Sequence, residues 1–236
     1  MPRKLDALAR LAILVLLTGC PTRPTAPPSR PPEAAAPRPL HLGRPYDVVA
    51  AQSLLTVLVY RAGPLARAGH NHVIASHELT GTVYVTADPA RSSCEVHVPV
   101  GSFTVDEPEL RAREGSESEF PAEVPQSARD GTRTNMLSEA VLDAMHYPAV
   151  NITCLQLESA PTPAARVRIA LRGRDTTVAV PVKYSLGPLE LSADGELALK
   201  QTELGLTPFT ALLGALQVQD EMRIRVHLVA RAAPTS

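Results

Sequence analysis

Apolar and polar residues alternate with a period of two in eight separate stretches of this 236-residue chain, and no other feature restricts its fold as much. Successive side chains of a strand point to opposite faces, so the alternation marks a sheet with one dry and one wet side. The first strand covers residues 53–59 and starts near Tyr46; residues 79–85 form the second, ended by Asp88-Pro89. Residues 94–100, 150–157 and 167–172 follow, the last closed by Gly173. Residues 177–184, 189–201 (with turn-forming Asp194-Gly195 near the middle or start) and 223–228 complete the set. The expected class is all-β: an eight-stranded antiparallel barrel, which removes sheet edges, with one or two short helices. A two-sheet sandwich would carry the same alternation.

The dry phase is the place to look for a ligand. It contains Leu55, Val57 and Val59, then Val83 and Val85, Val96 and Val98, and Val150 and Ile152. It continues through Ile169 and Leu171, Val180 and Val182, Leu197 and Leu199, and Ile224 and Val226. All of these are expected to face one chamber. Only 3% of residues are aromatic and none is Trp, so the lining is saturated and suits hydrocarbon rather than stacked rings or bases. An eight-stranded barrel either packs its interior with side chains or holds one slender ligand, and both readings stand. A net charge of −1 lacks the concentrated basic surface that a nucleic-acid partner requires.

The N-terminus predicts the compartment. Arg3 and Lys4 precede a short apolar run, residues 11–17, and then Leu17-Thr18-Gly19-Cys20. A short hydrophobic region ending in small residues before a lone Cys is the pattern of a bacterial lipoprotein signal. The run is too short to span a bilayer, which takes about 20 apolar residues. Residues 1–19 are therefore expected to be removed and Cys20 to be lipidated. Residues 20–45 hold nine of the 23 prolines and read as an extended spacer. The folded body is expected at 46–233, exported and periplasm-facing. Pro21 rather than Asp after Cys20 favours the outer membrane.

Two insertions interrupt the strands. Residues 102–131 carry eight Asp/Glu against three Arg and are expected to be a mobile surface loop. Residues 135–145 place Met136 with Ala140, and Leu137 with Val141 and Met145, at helical spacing. That predicts an amphipathic helix, ended before Tyr147-Pro148, either plugging the barrel or merely covering core. Cys94 and Cys154 both fall on dry phases of strands that could be neighbours, so they are either a disulfide or two separate buried thiols.

Several stretches, in order, resemble the YceI-like family of envelope lipid-binding proteins. They are the strand from Tyr46 with central Ser53, Gly69-His70-Asn71-His72 before Leu79-Thr80-Gly81-Thr82-Val83, and His146-Tyr147-Pro148-Ala149-Val150. Leu171-Arg172-Gly173 before Val178-Ala179-Val180-Pro181-Val182, Gln201-Thr202-Glu203-Leu204-Gly205-Leu206 and Val218-Gln219-Asp220-Glu221-Met222 continue the match. The resemblance implies an extended lipocalin-like barrel that holds a lipid or polyisoprenoid chain without catalysis.

The function expected is thus a tethered, non-catalytic carrier for a lipid or isoprenoid chain, with no cofactor. His70, Asn71 and His72 would form a polar mouth that meets the headgroup. A rival reading makes these residues, with His77, a metal or small-molecule site, because His-x-His in a strand points both rings to one side. A third makes the domain a solid structural module. No G-x-S-x-G elbow, phosphate loop or C-x-x-C is present.

Overall fold

The computed structural model describes residues 42–114, 119–158 and 162–233. The expected signal peptide, Cys20 and nearly all of the proline-rich spacer lie outside them. The body is a closed antiparallel barrel of eight strands. Its members are β1 (Arg44–Val48), β4 (Thr80–Val85), β5 (Ser93–Pro99), β7 (Ala149–Glu158), β8 (Ala164–Leu171), β9 (Arg174–Leu186), β10 (Glu190–Lys200) and β11 (Glu221–Ala232). They pair in that order, and β11 returns to β1 through Tyr46↔Ala232 and Val48↔Ala230.

The first expected strand is two strands. A short 3-10 turn, Ala50–Gln52, separates β1 from β2 (Leu54–Val59). Ser53 holds the break: its hydroxyl donates to Val49 O (3.0 Å) and accepts from the Val229 amide (3.0 Å). The break lets the two halves take different neighbours along the long β11. β1 lies between β11 and β4, whereas β2 lies between β11 and β3 (His72–Ser76). β6 (Thr104–Val105) pairs outside β3, so the barrel wall forks at Ser53.

Turn chemistry fixes the register of the hairpins. Arg172 (φ 50°) and Gly173 (φ 72°) connect β8 to β9 with two left-handed residues, the geometry that matches strand twist. Asp194-Gly195, by contrast, makes no turn. It lies inside β10, where Gly195 pairs with both Val182 and Val226.

The two insertions also depart from expectation. The described part of 102–131 packs: Phe103, Val105, Leu110, Phe120 and Val124 are buried, together with Asp106 and Arg111. It contains α1 (Pro108–Ala112), and α2 (Gln126–Leu137) begins within it. The helix therefore stands earlier than the predicted 135–145. The chain turns at Ser138 instead of continuing, and the Leu142 amide bonds back to Met136 O (3.0 Å). That turn brings Met136, Val141 and Leu142 into one buried cluster and leaves Met145 exposed. The polar α2 is pinned by side chains rather than by an apolar face: Arg133 donates to Phe103 O (3.1 Å) and Gly101 O (2.8 Å).

The interior has two zones along the strands. At one end Val100, Phe103, Met136, Leu142, Leu171, Leu199, Leu204 and Met222 close into a solid cluster. Toward the other end the same strands surround a void.

Candidate functional site

The void is a cavity of about 450 Å³, within the usual range of small-ligand sites, roughly 300–1,000 Å³. Alternation builds it. Residues of β8, β9, β10 and β11 at every second position point inward, and their branched side chains form the wall. Of the expected chamber residues, Leu55, Val83, Val85, Val96, Val98, Ile152, Ile169, Val180, Val182, Leu197, Ile224 and Val226 line it. Five do not. Leu171 and Leu199 belong to the solid cluster, and Val57, Val59 and Val150 pack against that cluster half-buried. They hold the predicted phase but sit outside the hollow stretch, which strand periodicity cannot locate.

Further lining residues extend the same phase toward the strand ends: Tyr184 and Leu186 after Val182, Leu191 and Ala193 before Leu197, Leu228 after Val226. Carrying period-two alternation to the ends of the strands would have found them. Gly195 has a different role. A Cβ there would come within 2.9 Å of Val180 Cγ1 and 3.2 Å of Val226 Cγ1, so its bare backbone keeps the middle of the chamber open. Cys94 and Cys154 are directly paired across β5 and β7, form a disulfide, and also line the cavity.

The expected polar mouth is elsewhere, because none of His70, Asn71 and His72 lines this cavity. Asn71 accepts from the Arg61 amide (2.9 Å) and donates to Glu119 O (2.9 Å). His72 opens β3, a strand the sequence does not suggest because all five of its residues are buried and no alternation shows. The His72 ring bonds to Asp106 through Nδ1 (2.6 Å) and to Thr132 of α2 through Nε2 (3.1 Å).

Asp106 is the centre of this buried network. Its other oxygen accepts from the Val73 amide (2.9 Å) and from Arg111 Nη1 (2.7 Å), and both charged side chains are almost wholly removed from water. Burial alone would raise the Asp106 carboxyl. The His72 and Val73 hydrogen bonds and the nearby positive charge outweigh it and hold the group below its ordinary value. Arg111 also donates to Asn71 O (2.8 Å) and Pro121 O (2.6 Å) and lies over the Phe120 ring. The half-buried His70 is held below the usual imidazole value by burial first and by His72 next.

This arrangement ties β3, α1 and α2 together and does not assemble a ligand set. His77 turns to Glu107 (3.1 Å) instead of joining His70 and His72. Among the described residues no group of three or more His, Cys, Asp or Glu converges on a point that could hold a metal.

Comparison with known proteins accounts for the same architecture. The sequence matches the YceI-like domain over residues 46–230. The chain belongs to the YceI-like family. Among solved structures, BcnA of Burkholderia cenocepacia superposes with a TM-score of 0.57 at 18% identity, covering 78% of this chain and 99% of that one. A polyisoprenoid-binding domain from Saccharophagus degradans, implicated in plant cell wall breakdown, gives 0.53 at 11% identity, over 80% of this chain and 98% of that one. At these identities the likeness establishes the fold. Comparison with curated proteins finds no match. In this YceI-like barrel the hollow end of the strands, rather than the histidine network, offers room for a ligand.

Proposed function

We propose that the protein is a non-catalytic carrier that holds a lipid or isoprenoid chain in its barrel and is tethered through Cys20 on the periplasmic side of the outer membrane. The observation that carries this reading is the cavity of about 450 Å³ walled by aliphatic side chains. Each methylene moved from water into such a space contributes about 0.8 kcal/mol, so a dozen carbons supply about 10 kcal/mol before the costs of association. Among the described residues, those that line the cavity include no histidine or carboxylate to serve as acid or base, which favours binding over catalysis. The neighbouring Saccharophagus degradans domain, described as polyisoprenoid-binding, supports the ligand class. The lipoprotein signal pattern at Leu17-Thr18-Gly19-Cys20 supports the tether. Native mass spectrometry of the purified protein tests the reading. A mass increment released by organic extraction is expected, whereas a protein that is empty and takes up no apolar chain would overturn it.

A further inference from the structure

The open end of the barrel carries apolar side chains on its outer edge as well as within. The hairpin that joins β9 to β10 holds two of them: Leu186 lines the cavity yet is 48% exposed, and Leu189 is 71% exposed. Their backbone is pinned. The Tyr46 hydroxyl donates to Gly187 O (3.1 Å), the Gly187 amide to Glu190 O (2.8 Å) and the Ala232 amide to Leu189 O (2.9 Å). Leu42, 54% exposed, stands on the same edge, because Gly43 passes over Val85 and the cavity-lining Thr86.

Two cations accompany these leucines. Arg44 lies over the Tyr46 ring (5.5 Å), and Arg91 stands in the turn between β4 and β5. Both are exposed, and among the described residues neither has a carboxylate partner. The acidic groups of this end are engaged: Glu158 with Arg166, Glu190 with Arg231, and Asp88 with the Ala90 amide. Exposed leucines beside arginines without counter-ions are the combination that an anionic lipid surface attracts.

The expected tether enters here as well. β1 begins at Arg44, so residues 20–41 join the barrel at its open end, and fully extended they span at most about 75 Å. A barrel held that close to a bilayer meets it as an intramolecular event, for which a weak contact suffices. A second exposed tip, Leu212-Leu213, projects from the closed end, between Leu206 and Met222 of the packed cluster. It offers the opposite orientation, with neither the tether nor the cavity beside it.

We propose that the open end docks mouth-down on an anionic lipid bilayer, with Leu42, Leu186 and Leu189 entering the acyl region and Arg44 and Arg91 meeting phosphates. A hydrocarbon chain then passes between bilayer and cavity without crossing water. This rests on the tethered-carrier reading and adds an orientation to it. The test places a bimane label on Pro188→Cys or Leu213→Cys in the lipidated full chain, reconstituted in phosphatidylethanolamine–phosphatidylglycerol vesicles with brominated acyl chains. Quenching is expected at the Pro188 position and not at the Leu213 position. It should be lost in Leu186→Ser/Leu189→Ser, and weakened in Arg44→Glu/Arg91→Glu or when phosphatidylcholine replaces phosphatidylglycerol. If the protein floats with the vesicles but is quenched only at the Leu213 position, or at neither, the docking is overturned and the carrier reading stands. Persistence of the Pro188 signal in Leu186→Ser/Leu189→Ser overturns the docking too. Protein that does not float with the vesicles has no anchor, and the tether falls together with the docking.

Discussion

Ala193→Leu should separate a hollow barrel from a solid one. Ala193 lines the cavity on β10, two residues before Gly195, in a stretch paired to β9 on one side and β11 on the other. The substitution adds three carbons, about 90 Å³ at ~30 Å³ each, to the wall of that void. A bound chain then loses space for about three methylenes. At about 0.8 kcal/mol each this is about 2.4 kcal/mol, a weakening of roughly 60-fold. The empty protein should respond in the opposite direction, gaining about 0.5–2 kcal/mol because an apolar space is filled by an apolar group. Ala198→Leu is the matched control: it lies on the same strand in the outward phase, is exposed, and should leave binding unchanged. Dye displacement by n-pentadecane measures the first effect and urea unfolding without ligand the second. A variant that binds as tightly as the parent refutes the reasoning. So does one that unfolds more easily, because that is the signature of overpacking a space already full.

Other expectations concern what surrounds the chamber. Asp106→Asn leaves the Arg111 guanidinium buried without its counter-charge and should cost about 3–5 kcal/mol in urea unfolding; a loss under about 1 kcal/mol would show the pair to be dispensable. Because the Asp106 carboxyl is held below its ordinary value of 3.8, its stabilisation is present above that pH and is lost as pH falls through the lowered value. Asp106→Asn should accordingly flatten the acid limb of the stability profile, and an unchanged limb would contradict the assignment. The disulfide closes a loop between residues 60 apart, so replacing both Cys94 and Cys154 by Ala should cost about 4 kcal/mol by the chain-entropy account, read from thermal or urea melts. Cys20→Ser should shift the protein from the membrane fraction to the soluble fraction of the envelope; continued sedimentation with membranes would argue against the tether.

The barrel is legible because its strands are half-wet. β8 and residues 221–228 of β11 alternate without a break, and the turn at Arg172-Gly173 states its own type. β3 is illegible for the opposite reason: His72–Ser76 is buried on both faces and resembles no template. The acidic composition of 102–131 suggests solvation, yet Asp106 and Arg111 neutralise one another inside, an arrangement visible only once β3 and α1 are adjacent. Asp194 and Gly195 resemble a turn because turns and voids ask for the same residue, one for its φ and the other for its lack of a side chain. The register shift between Cys154 and Gln156 sets Gln156 opposite the exposed Arg166 and brings Leu157 into the inward phase, which no fixed period anticipates. Nor can alternation say how far along a strand the interior is filled, and so it assigns Leu171 and Leu199 to the chamber when they are its floor.

That floor has a mechanical consequence. β10 and β11 each begin or end in the packed cluster and continue, through one uninterrupted hydrogen-bonded ladder, into the chamber wall. Rigidity and capacity are therefore segregated along the length of single strands. The chamber stands above a foundation that holds its register, and amides at the Leu199–Met222 end should resist exchange with deuterium whether or not a chain is bound.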